Sequence, residues 1–284
     1  MVARAGGRLS GVRLATVRTP DGTRAVRVDG EDVFDIVPGY EDVAALLAAG
    51  AGDPIGADPR GTLANMDLAP VVTRPAKIIC LGLNYKSHIE EMQGALPSHP
   101  TLFAKFAAAL CGARDPIIIP EASKAVDWEA ELGFVIGARA RNAGPDEALA
   151  AVAGYTIVND VSMRDWQFHT DQWLAGKTWE RSTPVGPALV TPEEVDHAAD
   201  LLLQCEVDGE VMQEARTSDL LFKPAEIVQY VSTIVTLEPG DLVSTGTPGG
   251  VGAGRQPPQF LQPGQVMRTS IEGIGELVNE MVAP

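Results

Sequence analysis

Apolar and polar positions alternate in short runs along most of the chain, the period-two pattern of strands with one face buried. Residues 13–17 form one such run and meet the turn signal Thr19-Pro20-Asp21-Gly22. Residues 25–28 end at Asp29-Gly30, and residues 33–36 follow. This predicts a small antiparallel meander. Residues 40–49 are rich in Ala and Leu with acidic residues early, which predicts a short helix. Residues 49–61, rich in Gly, Ala and Asp, read as a loop or linker. A boundary falls near residues 70–76, where Pro70 and Pro75 bracket Val-Val-Thr, dividing the chain into 1–72 and 73–284. Beyond it, strands are predicted at 77–81, 116–120, 129–137, 155–160, 201–208, 241–245 and 266–271. Helices are predicted at 146–153 and 224–234. The sum is mostly β with a few helices, an α+β chain.

Composition narrows the class. The 284 residues carry 22 Lys+Arg against 38 Asp+Glu, a net charge of −16. That balance argues against nucleic acid and against an anionic membrane surface, since both need clustered Lys and Arg. An anionic substrate would need a local cation or a few placed basic groups. Cys80, Cys111 and Cys205 are odd in number and widely spaced, so buried reduced thiols are expected. Residues 1–13 hold arginines without an apolar stretch behind them, and no run reaches the length of a membrane span. The expected location is cytoplasmic.

Several residues carry chemistry. Glu129 and Glu131 in Trp128-Glu129-Ala130-Glu131-Leu132 fall on one face of an apolar strand. Burying both needs a cation between them, and hard oxygen donors suit Mg²⁺, Mn²⁺ or Ca²⁺. The plain alternative is a solvent-facing edge. Asp160, ending the apolar run 155–159, is a third candidate ligand or else a helix N-cap. His88 and Glu91 lie three apart, one helix face, where a carboxylate raises and orients an imidazole for water activation; a lone pair of this kind is more often a surface helix contact. Lys177, beside Gly176 and near Trp173, is a candidate cation at an oxyanion or simply a solvated lysine. The loop Thr245 to Gly254 is glycine-rich but is neither a P-loop nor a dinucleotide fingerprint. No GxSxG appears, so a serine triad is unsupported.

Together the motifs resemble the fumarylacetoacetate hydrolase family. Gly82-Leu83-Asn84-Tyr85-Lys86-Ser87-His88-Ile89-Glu90-Glu91 resembles its GxNYxxHxxE lid segment, and Asp127 to Leu132 its ExEL strand. Asn159-Asp160-Val161-Ser162-Met163-Arg164-Asp165-Trp166-Gln167 resembles NDVSxRDxQ. Lys177-Thr178 through Pro187 resembles K[ST]…PxGP, and Thr245 to Gly252 resembles TGTPxGVG. The ordered set covers about residues 76–282.

The resemblance implies a mixed β-roll catalytic domain, a small N-terminal domain and a homodimer. It implies Glu129, Glu131 and Asp160 as ligands of a divalent metal, Mg²⁺ first. His88 and Glu91 become a water-activating dyad, and Lys177 the cation beside a keto or enolate oxygen. Gln167, Thr247, Tyr85 and Gly246 become substrate contacts. Leu83 stands where many relatives carry Arg, and Phe106-Ala107-Ala108 departs from their Lys-Pro-Pro or Lys-Pro-Ser. The expected activity is metal-dependent C–C hydrolysis of an acylpyruvate-type 2-keto acid. The alternatives are isomerisation or decarboxylation of a 2-hydroxy-dienedioate or of oxaloacetate in aromatic catabolism, and a non-catalytic 2-keto-acid binding protein.

Overall fold

A computed structural model describes residues 11–50, 55–91 and 95–284; the side chains of Ile55, His88, Glu90 and Glu91 lie outside the described set. The protein is mostly β, as the alternation predicts. The larger sheet runs, edge to edge, Ile55–Thr62, Asp32–Ile36, Gly22–Asp29, Arg13–Thr19, Thr183–Val190, Val152–Asn159, Ala130–Ile136, Leu242–Ser244, Ile78–Gly82 and Thr101–Ala104. Its neighbours are antiparallel except Leu242–Ser244 against Ile78–Gly82. The short strand Leu110–Cys111 also lies parallel to Thr183–Val190.

A second sheet orders Glu210–Arg216, Leu202–Val207, Val266–Ile271, Gly275–Val282 and Ile117–Ile118. It packs on one face of the first. Leu132, Phe134 and Ile157 from the larger sheet share a core with Leu203, Cys205, Met267 and Leu277. The opposite face of the larger sheet buries Leu14, Val135, Val158 and Leu189 under Val71, Val72 and the helix Val43–Ala48. Strand Ala130–Ile136 is therefore covered on both sides, which is why it reads as a nearly continuous apolar run. The predicted meander joins this same sheet, because Arg13 pairs with Val190 and Leu14 with Leu189.

One expectation needs correction. Residues 49–61 are not all loop: Ile55–Thr62 is a strand that pairs with Asp32–Ile36. Edge strands tolerate Pro and Gly because only one side enters the ladder, and Pro59 and Gly61 hide the strand from a propensity reading. The helices Pro145–Ala151 and Pro224–Ile234 lie where the sequence places them. The three cysteines are buried and unpaired. Among the described residues no helix is long and apolar enough to cross a membrane.

Candidate metal centre and cleft

Two neighbouring strands bring the acidic residues together. Ala130 pairs with Asn159 and Glu131 with Val158, so Glu129 and Asp160 face each other just beyond the ladder. The Asp160 N–H donates to the Glu129 carbonyl at 2.8 Å. The Asn159 side chain locks this corner: its Oδ1 accepts the Glu129 N–H at 2.9 Å, and its Nδ2 donates to Thr269 Oγ1 at 2.9 Å in the other sheet. Pleating then places Glu131 on the face of Glu129 and Asp160. Glu129, Glu131 and Asp160 are 5%, 1% and 0% exposed, which removes the solvent-edge alternative. Each offers one carboxylate oxygen, and these oxygens lie within 4.8 Å of one another.

Three buried acids at that spacing require positive charge. Lys177 Nζ donates to Asp160 Oδ2 at 3.0 Å and to Glu129 Oε2. Lys105 Nζ donates to Asp160 Oδ1. Arg164 bridges Glu129 Oε1 at 2.6 Å and Asp127 Oδ2 at 2.8 Å. Glu131 receives no such cation among the described residues; the Ser244 hydroxyl at 2.5 Å and the Gly246 N–H at 2.8 Å donate to its Oε2.

The ionisation of the cluster follows this division. Burial, then the charges of Asp160 and Glu129, push the Glu131 carboxyl up. Burial acts the same way on Asp160, but Lys105 and Lys177 outweigh it and hold that carboxyl below its ordinary value. Lys177 is raised, since Asp160 and Glu129 overcome the desolvation that would lower it. A set of three hard oxygen donors, one of them without a cation, fits a divalent metal ion.

The cluster forms the floor of a cleft of about 800 Å³. Leu81, Leu83, Phe103, Phe168 and Trp173 give it an apolar wall, and Arg164, Gln167, Thr247 and Arg255 give it a polar one. The benzo edge of Trp173 packs on Gly82: a Cβ there would meet Trp173 Cζ3 at 2.5 Å, so only glycine lets the indole reach this position. Leu83 follows with φ 56, in the left-handed region, at the lip.

The candidate residues distribute as follows. Glu129, Glu131 and Lys177 line the cleft with Gln167 and Thr247, and Asp160 sits behind them bonded to both lysines. Gln167 Oε1 accepts from Arg164 Nη1 at 3.0 Å. Thr247 Oγ1 donates to the Ala130 carbonyl at 3.0 Å and accepts from Gln213 Nε2 at 2.8 Å. Gly246 gives its N–H to Glu131. Tyr85 is fully buried, and its hydroxyl has no hydrogen-bond partner among the described residues. His88 and Glu91 belong to the helix Lys86–Glu91, but their side chains lie outside the described set.

Three participants escape the sequence reading. Arg164 and Asp127 stand inside motifs that were legible, and the signal was a charged residue within a few positions of each ligand. Lys105 gave no local signal, because its partner is 55 residues away. Asp127 also accepts from the backbone N–H groups of Gly252 at 2.7 Å and Ala253 at 2.9 Å, tying the glycine-rich loop to the metal corner.

Comparison with known proteins agrees with this architecture. The family described as fumarylacetoacetate (FAA) hydrolase C-terminal matches residues 77–282. The mitochondrial oxaloacetate tautomerase FAHD2A of Bos taurus is 47% identical over 217 residues, covering 76% of this chain and 69% of that protein. A fumarylacetoacetate hydrolase from Exiguobacterium antarcticum superposes with a TM-score of 0.87 at 34% identity, over 96% of this chain and 100% of that one. A 2-hydroxyhepta-2,4-diene-1,7-dioate isomerase from Mycobacterium marinum gives 0.80 at 33%, over 96% and 99%. With the buried acidic corner, the cleft above it and this match across most of its length, the chain belongs to the fumarylacetoacetate hydrolase family of enzymes.

Proposed function

We propose that this enzyme moves a proton next to the keto group of an oxaloacetate-type 2-keto acid, interconverting keto and enol forms with a divalent metal bound by Glu129, Glu131 and Asp160. The observation that carries the reading is the buried three-carboxylate floor of the cleft, with Lys177 between Glu129 and Asp160. The tautomerase and isomerase names of its relatives favour it over hydrolysis. Hydrolysis of an acylpyruvate rests on His88 and Glu91 activating water, a role to which the described residues add nothing.

Glu129, Glu131 and Asp160 would hold a divalent metal, Mg²⁺ in the first instance, and the chemistry it would supply there is Lewis acidity toward a keto oxygen. The protein's own groups do the rest. Lys177 holds a buried positive charge beside the site of the developing enolate. Phe103, Phe168 and Trp173 give the substrate an apolar wall beside the acidic floor. His88, spaced by a helical turn from Glu91, is the proposed carrier of the proton. Decarboxylation, which releases CO2 and leaves a shorter enolate, and double-bond migration, which forms a dienolate, also build negative charge on the 2-keto oxygen, so the site would serve them with the same residues.

The test is turnover of oxaloacetate, an acylpyruvate and a 2-hydroxy-dienoate, each with Mg²⁺ and with Mn²⁺, with products identified. Oxaloacetate tautomerisation is expected to be the fastest reaction, to vanish on chelation and to vanish in Glu131→Ala. Full turnover by chelated protein sinks the metal reading. Acylpyruvate cleavage as the dominant reaction sinks the keto–enol reading.

A further inference from the structure

We infer that Arg255 is a specificity residue of this cleft, binding the second carboxylate of a dicarboxylic substrate. The inference rests on the 2-keto-acid reading above and extends it from a class of reaction to a class of substrate.

Among the described residues, three cations line the cleft: Arg164, Lys177 and Arg255. The first two are committed, Arg164 to Asp127 and Glu129, and Lys177 to Glu129 and Asp160. Arg255 is different. Its Nη2 donates to the Met212 carbonyl at 3.0 Å, its Nη1 to Gln259 Oε1 at 3.2 Å and its Nε to the Gly250 carbonyl at 3.5 Å. All three acceptors are neutral, and among the described residues no carboxylate pairs with it. The guanidinium is thus fixed in direction without being neutralised.

A guanidinium has five N–H groups. The contacts above use three, leaving one on each Nη. Two adjacent N–H groups form the fork that grips a carboxylate through both oxygens. The guanidinium carbon also sits 5.8 Å from the centre of the Trp128 ring, whose indole N–H donates to the same Gly250 carbonyl at 3.1 Å. Trp128 immediately precedes Glu129, so a rigid aromatic spacer links Arg255 to the acidic floor. The loop carrying Arg255 is pinned to that floor by Asp127 through Gly252 and Ala253. With a divalent metal held by its acidic floor, the cleft would offer one anion-binding position there and a second, pre-set one at Arg255 on its wall. Leu83, which also lines the cleft, adds no charge to it. A monoacid fills only the first position.

The experiment separates this role from a loop-anchoring one. Malate and lactate, hydroxy acids that differ by the second carboxylate, are titrated calorimetrically into Mg²⁺-loaded wild type, Arg255→Gln and Arg255→Lys. Wild type is expected to prefer malate by about ten- to thirtyfold, and Arg255→Gln to bind the two alike. Arg255→Lys, which keeps the charge but not the fork, is expected to fall between them and remains informative if Arg255→Gln fails to fold. In turnover, kcat/KM for oxaloacetate should fall mainly through KM. A malate preference that survives in Arg255→Gln, or equal losses for malate and lactate, overturns the inference. So does a wild type without the preference, even one that turns over oxaloacetate. An Arg255-dependent malate preference in a protein that processes no 2-keto acid overturns the proposed reaction and leaves this assignment standing.

Discussion

At the scale of single residues, the site is an arrangement of buried charge whose partners come from distant parts of the chain. Lys105 shows what such a partner contributes. Its side chain is fully buried and meets Asp160 Oδ1 directly, while Lys177 holds the other oxygen. Replacing it by Met should leave Asp160 half-compensated and cost about 3 kcal/mol, the range for breaking a buried ion pair. Denaturant unfolding of metal-free Lys105→Met reads that loss directly. An unchanged midpoint means that Lys177 alone satisfies the carboxylate. The sequence exposed Glu129, Glu131, Asp160 and Lys177 because they stand in short patterns whose spacing has geometric meaning. It could not expose Lys105, since a lone lysine after a strand looks the same whether it faces water or an aspartate folded against it. Nor did it show that Tyr85 is buried and that the Gly246 N–H is already given to Glu131.

At the scale of elements, the sequence pattern found the two strands that build the corner, Ala130–Ile136 and Val152–Asn159. The corner ends of Ala130–Ile136 and Val152–Asn159 coincide because six residues, Ala130 to Val135, pair in unbroken register with Asn159 to Gly154 before a bulge at Ile136. Alternation missed the edge strands Ile55–Thr62, Thr101–Ala104 and Glu210–Arg216, where neither face is demanding enough to leave a pattern, and also Gly275–Val282 and the central strand Thr183–Val190, whose Pro184, Gly186 and Pro187 break the reading. The glycine-rich loop was visible as composition, but its purpose was not. Gly252 is present because the chain passes itself at close quarters: a Cβ there would sit 1.9 Å from the Gln259 carbonyl oxygen and 2.7 Å from Asp127 Oδ1. Both are fixed, one by backbone and the other by its bonds to Arg164 and the loop. Gly252→Ala should therefore displace the loop, with Arg255 on it, and lower oxaloacetate kcat/KM at least about tenfold, as overpacking at backbone cannot relax cheaply. Hydrogen exchange should show faster opening of residues 250–255. Normal exchange there, with normal kinetics, contradicts the account.

At the scale of the whole molecule, the sequence places a division near residues 70–76, and hydrogen bonds and charges run across that point. Arg18 grips Asp115 through both oxygens, at 2.9 and 2.6 Å, and the Gly112 N–H and Arg181 add to the hold. Burial alone would raise the Asp115 carboxyl. Arg18 and the Gly112 N–H outweigh it and hold the group below its ordinary value of 3.8. A depressed carboxylate contributes stability that is complete above the unfolded value and is lost as pH falls through the folded one. Asp115→Asn should therefore melt below wild type at pH 7, and the gap should close as acid protonates wild-type Asp115. Parallel melting curves at every pH would show that the ion pair contributes nothing. The same long-range joining has a consequence in time. Strand Arg13–Thr19 docks on Thr183–Val190, so its partner does not yet exist when the first strands leave the ribosome. At ordinary rates of synthesis the meander waits roughly 10–35 s for residue 190. For that interval one edge of Arg13–Thr19 pairs with Gly22–Asp29 while the other stays open, an unpaired strand edge that a nascent-chain chaperone would protect.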